Sequence, residues 1–233
     1  MTWSRSGRAP TSSDARAELE ELHARIRACT LCGLHATRTQ AVPGAGPVPS
    51  EIMIVGEAPG FNEDVQGIPF VGAAGKLLDT LLGQIGLSRQ QVFVANVLKC
   101  RPPQNRDPMP HEAEACLPYL RRQFALVRPK AVVILGRHAL ERMLPGVGGI
   151  SRVHGQIFMR SGVAFMPCYH PAAALHNGGL LADLQRDFDR VREYLDRLLA
   201  VPEPEPEPAV EAPPEPAAVA PSPQPDPEQL PLI

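Results

Sequence analysis

Three polar residues each follow an apolar run: Glu57 after Ile52-Met53-Ile54-Val55-Gly56, Asn96 within VFVANV, and His170 after Val163 to Tyr169. Continuous apolar runs of this length read as strands buried on both faces. Helical patterns alternate with them, so the expected fold is a three-layer α/β/α domain around a central, mainly parallel sheet of about four strands, with an edge hairpin strand near residues 156–160. In such sheets ligands bind beyond the carboxyl ends of the strands. The carboxylate of Glu57, the amide of Asn96 and the imidazole of His170 then share one rim. Singly, His170 before Pro171 would read as a hydrogen-bonded structural residue, and Asn96 as a satisfied strand-end amide. Converging from separate strand ends, the three read as an acid–base and hydrogen-bonding site.

The segment from Ile52 to Asp79 organises the chain. Pro59 and Gly60 turn the backbone after Glu57, and Gly67, Pro69, Gly72 and Gly75 punctuate a loop that holds Phe70 before a helix around residues 76–82. Phe70 can serve there as a stacking platform or as a core plug. The other helices are expected over residues 15–28, behind Asp14, then 111–127, from Gly136 through Met143, and 181–199.

Five cysteines in a chain expected to be cytoplasmic point to a metal or iron–sulfur site over disulfides. Cys29 and Cys32 have CxxC spacing; Cys100 and Cys116 can supply two further thiolates. Cys168 lies in an apolar strand and reads as a small buried hydrophobe. Four thiolates suit a tetrahedral zinc site or a [4Fe-4S] cluster, and the wide spacing of the second pair leans toward the cluster.

Charge is divided unevenly. Residues 201–233 carry seven acidic residues and no Lys or Arg, leaving residues 1–200 with 23 basic against 18 acidic residues, a net of +5. A basic body is compatible with a polyanionic partner. No stretch is apolar enough for a membrane span, and MTWSRSGRAP lacks the apolar core of a signal peptide. Residues 1–13 are expected to fray, residues 14–200 to form the domain, and the Pro- and Glu-rich tail to be disordered.

GEAPGFNEDVQGIPFVGAAGKLLD, NVLKCRPPQNRDP and YHPAAAL, in that order with four placed cysteines, closely resemble the type 4 uracil-DNA glycosylases, the iron–sulfur branch of the uracil-DNA glycosylase superfamily. The resemblance spans about residues 20–200. It implies an enzyme, a monomer, that extrudes deoxyuridine from single- or double-stranded DNA and hydrolyses its N-glycosidic bond. It also implies a [4Fe-4S] cluster on Cys29, Cys32, Cys100 and Cys116. His170 would donate to uracil O2, Asn96 would pair with N3–H and O4, Phe70 would stack on the base, and backbone amides after Gly56, in the turn that runs through Ala58 and Pro59, would help hold base and water. Ala58 occupies the position where the best-known branch has a water-activating Asp. Glu57 is therefore the leading group to orient water, with Glu63 and Asp64 behind it. Leu175 is the expected wedge into the vacated base stack.

Two other classes remain at this level: covalent capture of uracil-DNA, as in a related branch that uses a His in a basic loop, and docking to DNA without catalysis. The loop RPPQNRDPMP lacks that His, and His111 lies beyond it. Finally, Gln229, Leu230, Leu232 and Ile233 in QLPLI resemble the pentapeptide that fills a groove on the bacterial sliding clamp, here at the end of an acidic tether.

Overall fold

The computed structural model describes Trp3 and residues 11–200. Each apolar run forms a strand: β1 (Ile52–Gly56), β2 (Val92–Asn96), β3 (Ala131–Leu135), β4 (Phe158–Arg160) and β5 (Val163–Cys168). They make one sheet of order β2-β1-β3-β5-β4, parallel except for β4 against β5. The sheet thus has five strands where about four were expected, the fifth being the edge hairpin strand. Pro167 is accommodated in β5 because β4 pairs only with residues 163–165, so the proline lies where the outer edge of β5 has no strand partner.

Alternation along the strands builds two cores. Met53, Val55, Phe93, Ala95, Val132, Ile134 and Phe165 face one layer of helices; Ile54, Val94, Val133, Leu135, Met166 and Cys168 face the other. The first layer contains α1 (Ser12–Arg27), α4 (Pro110–Val127), α5 (Arg137–Met143) and the short α6 (Ile150–Val153). The second contains α3 (Ala73–Gln84), α7 (Pro171–His176) and α8 (Gly178–Ala200). A further short helix, α2 (Phe61–Gln66), sits in the loop after β1.

Several boundaries differ from the sequence-based expectation. Helix α1 begins at Ser12, capped by Thr11, whose side-chain oxygen accepts from the Asp14 amide; Asp14 sits in its first turn, where a carboxylate suits the helix dipole. Trp3, within the stretch expected to fray, is buried against Phe124, and its indole N–H donates to Met143 O at 2.8 Å. Helices α2, α6 and α7 are not among the helices expected from the sequence. The tail from residue 201, with Gln229, Leu230, Leu232 and Ile233, lies outside the described residues.

The chain passes from β1 outward to β2, then crosses to β3 on the other side of β1. This reversal opens a crevice at the carboxyl ends of β1 and β3, the position where doubly wound sheets bind ligands. Among the described residues, no helix is long and apolar enough to cross a membrane.

Candidate active site

A cavity of about 270 Å³ opens at that rim, and Glu57, Ala58, Pro59, Glu63, Phe70, Asn96 and His170 all line it. Residues from three strand ends and two loops are therefore brought together around one cavity. Gly56 stands beside Asn96 in the β1–β2 register. It has no room for a side chain: a Cβ there would lie 2.4 Å from Asn96 Oδ1 and 2.6 Å from Phe70 Cζ. Its missing side chain is what lets the amide and the aromatic ring share the cavity floor.

Asn96 Oδ1 is buried with no hydrogen-bond partner among the described residues. An unpaired buried acceptor costs about 1–3 kcal/mol, so a donor from a bound molecule is the natural complement. The backbone beneath it is held tightly. Lys99 is fully buried and donates from Nζ to Asn96 O and to Gln123 Oε1, both at 2.7 Å.

His170 caps α7. Its Nδ1 accepts from the Ala172 amide at 3.1 Å, which leaves Nε2 to carry the proton of the neutral ring. Burial drives its pKa down to about 4, against a smaller opposing effect from Glu63. The result is a neutral imidazole that presents an N–H donor at neutral pH. Gly136, at φ 89°, makes room for it: a Cβ there would come within 3.0 Å of His170 Cβ.

Phe70 stacks on the His170 ring, with centroids 5.7 Å apart and planes inclined by 26°. It is both core and cavity wall, so the two readings of its sequence context meet in one residue. Its φ of 55° is unusual for a bulky side chain and is maintained by neighbours. Arg89 donates from Nη2 to Phe70 O at 2.7 Å and to Gly75 O at 3.2 Å. Glu63 accepts from the amides of Val71 and Gly72 at 2.9 Å and from Gly60 at 3.1 Å.

That bonding separates the three carboxylates considered for water. Glu63 is occupied in clamping the loop. Asp64 is buried away from the rim and accepts from the amides of Thr39 and Gln40. Among the described residues Glu57 accepts no such bonds; burial raises its carboxyl pKa, with His138 opposing and Asp107 reinforcing the rise. His138 Nε2, a buried nitrogen, lies 4.0 Å from Glu57 Oε2 and 3.3 Å from Asp107 Oδ1. Asp107 and His138 went unnoticed in the sequence because they join Glu57 only through the fold; the place of His138 just after β3 was the available signal. Asn105 and Arg106 also line the cavity, and Arg106 is held by a two-pronged pair with Glu112 at 2.9 and 2.6 Å.

Leu175 projects from α7 and is 49% exposed. It is not among the residues that line the cavity.

Cys29, Cys32, Cys100 and Cys116 line one small cavity, with Lys99 and Arg38. Arg38 donates from Nη1 to Cys100 Sγ at 3.0 Å. Burial pushes the Cys116 thiol up to about 11 and raises that of Cys100. Cations beside buried sulfurs are the arrangement a thiolate site requires. Thiolates around one zinc ion lie about 3.8 Å apart, from a Zn–S bond of about 2.3 Å. Among the described residues, the one trio of potential metal ligands within 4.8 Å of one another is Glu57, Asp107 and His138, and no three of the cysteine sulfurs stand that close together. Cys168 is buried within β5, apart from them.

A family model described as the uracil DNA glycosylase superfamily matches residues 43–198. The chain is 47% identical over 184 residues to a type-4 uracil-DNA glycosylase of Sulfurisphaera tokodaii, covering 75% of this chain and 84% of that one. It is 46% identical over 183 residues to a type-4 uracil-DNA glycosylase of Archaeoglobus fulgidus, covering 75% and 92%. With one of Thermotoga maritima it shares 42% over 165 residues, covering 70% and 86%.

Proposed function

Because the chain belongs to the uracil DNA glycosylase superfamily, we propose that it excises uracil from DNA, hydrolysing the N-glycosidic bond of an extruded deoxyuridine to give free uracil and an abasic site. The observation that carries this reading is the buried, unpartnered Asn96 Oδ1 in a cavity walled by Phe70 and His170. Uracil offers an N3–H to that acceptor, whereas cytosine offers a lone pair at N3. A site built for the one hydrogen-bond pattern can reject the other by on the order of 10⁴-fold.

As the glycosidic bond breaks, negative charge gathers on the base and the sugar becomes oxocarbenium-like. His170 Nε2–H donates to uracil O2, a bond that strengthens as charge develops. A neutral donor suits this role, since the transition state forms an anion without needing a full proton transfer. Phe70 stacks on the base, a contact worth about 1–3 kcal/mol. Glu57 orients the water that attacks the sugar, Gly56, Ala58 and Pro59 line the path to it, and Glu63 acts by fixing the Phe70 loop. Leu175 fills the gap left in the base stack.

Cys29, Cys32, Cys100 and Cys116 hold a [4Fe-4S] cluster; their shared cavity and the flanking Lys99 and Arg38 support this. The cluster ties α1 and the loop after β2 to α4. QLPLI anchors the enzyme to the sliding clamp, which places it in the cytoplasm with replicating DNA; that part of the reading rests on the sequence alone.

One gel assay tests the activity. A single-stranded oligonucleotide with one deoxyuridine should yield alkali-labile abasic DNA together with free uracil. A stable crosslinked species would point to covalent capture, and a shifted but unmodified strand to docking without turnover.

A further inference from the structure

Phe61 opens α2 with 59% of its surface exposed, an unusual setting for a phenyl ring at the mouth of a site. Among the described residues its ring partner is Arg101, whose guanidinium carbon stands 5.1 Å from the ring centroid. The two residues come from opposite walls. Phe61 follows Gly60, and Arg101 precedes Pro102; Gly60 and Pro102 both line the cavity. The pair therefore bridges the rim between the loop after β1 and the loop after β2.

Arg101 is fixed in place. Its Nε donates to Asn105 Oδ1 at 2.7 Å, and Asn105 itself lines the cavity. Gln104 and Asn105 both adopt φ 55°, and the far end of the loop is pinned by the Arg106–Glu112 pair. Among the described residues no carboxylate pairs with Arg101, so its two terminal nitrogens stay available on a body that carries a net charge of +5 over residues 1–200. The pair thus offers an open aromatic face and an uncommitted cation together.

We propose that Phe61 and Arg101 form a platform for the nucleotide next to the extruded one, its base stacking on the open face of Phe61 and its phosphate meeting the free nitrogens of Arg101. The inference rests on the uracil-excision reading of the adjoining cavity. A strand that delivers one base into that cavity must cross its rim, and the rim residues match the two chemistries every nucleotide carries. Stacking of this kind tolerates any base, because every base has a π face, so it adds affinity without restricting sequence context. The partner is single-stranded or locally unpaired DNA, in which the neighbouring base is free to leave its own stack and its pairing for the ring.

The test compares the wild-type chain with Phe61→Ala, Phe61→Trp and Arg101→Gln on short single-stranded oligonucleotides. The deoxyuridine is flanked by natural nucleotides or by base-less tetrahydrofuran residues, on one side and then the other. Phe61→Ala should raise KM about tenfold, within the range of one base–aromatic stack, with kcat within about threefold. The loss should disappear when the neighbour on the platform side lacks a base, and Phe61→Trp should restore affinity. Arg101→Gln should raise KM and flatten its salt dependence. A KM for Phe61→Ala equal to wild type, or a loss of the same size with and without the neighbouring base, overturns the platform. If the wild-type chain binds these strands but releases no uracil, the excision reading fails; the same comparison by fluorescence anisotropy then decides the platform by itself.

Discussion

The amide of Ala172 donates to Nδ1 of His170 at 3.1 Å, and this one bond determines which nitrogen of the ring faces the cavity as a donor. Ala172 of α7 thereby sets the tautomer of the partly buried imidazole that caps the helix, whose pKa burial lowers to about 4. Nitrogen-15 NMR of the labelled protein should show Nδ1 unprotonated, Nε2 protonated, and no titration until pH nears 4. A midpoint near 6.5 contradicts the assignment.

The same shift predicts how stability varies with pH. Unfolded, His170 takes up a proton below about pH 6.5; folded, it resists until about 4. The unfolded state therefore binds more protons across that window, and stability falls as pH drops through it, by on the order of a few kcal/mol. His23, buried beside Lys99 and also lowered to about 4, contributes in the same direction. Urea midpoints for wild type and His170→Ala between pH 7 and 5 should converge as pH falls; parallel curves would remove His170 from the effect.

Glu57 and Glu63 should separate cleanly on substitution. Glu57→Gln should lower the single-turnover rate on the order of 10²-fold while leaving stability unchanged or raised, because it removes a carboxyl whose charged form burial disfavours. Glu63→Gln should cost about 1–2 kcal/mol of stability through the amides of Gly60, Val71 and Gly72, with a smaller effect on rate at saturating DNA. Stopped or quenched single turnovers beside denaturation curves distinguish them, and the reverse pattern would move the water-orienting role to Glu63.

Much of this site was legible before the fold was known. Buried parallel strands write themselves as short apolar runs, so Glu57, Asn96 and His170 could be placed at strand ends and hence at one rim. Helix α2 was missed because its six residues lie between Gly60 and Gly67, too few for a helical period to show. Helix α7 is equally short, although Pro171 at its first position was a readable start signal. Thr11, and not the nearer Asp14, caps α1, since both residue types suit a cap and only the backbone decides between them. Asp107 and His138 lie more than 45 residues from Glu57 in sequence, and only the crossover from β2 to β3, which sets β3 beside β1, makes them neighbours. The unusual backbone of Phe70 was likewise invisible, because Arg89 and Glu63, which maintain it, reach it through space.

Asn96→Asp should replace an amide by an acceptor-only carboxylate, so uracil O4 meets repulsion while the amino group of cytosine gains a partner. Excision of uracil should fall, and selectivity should move toward cytosine. Competition between deoxyuridine and deoxycytidine oligonucleotides measures the ratio; an unchanged ratio in a folded variant removes Asn96 as the reader of the base.

Cys29→Ser and Cys116→Ser should each abolish the visible absorbance and the iron and sulfide content of the purified protein and lower its solubility, because all four sulfurs line one cavity. Stoichiometric zinc without iron in the wild-type protein would replace the cluster by a single-ion site.

The central claim is that His170 stabilises the departing base, and single-turnover release of uracil by wild type and His170→Ala, read at saturating enzyme alongside binding of the same oligonucleotide, tests it most directly. The account predicts a rate lower by on the order of 10²-fold or more with binding nearly unchanged, since the donor acts chiefly as charge develops on the base. A rate within a few-fold of wild type, or a loss explained wholly by weaker binding, would contradict it.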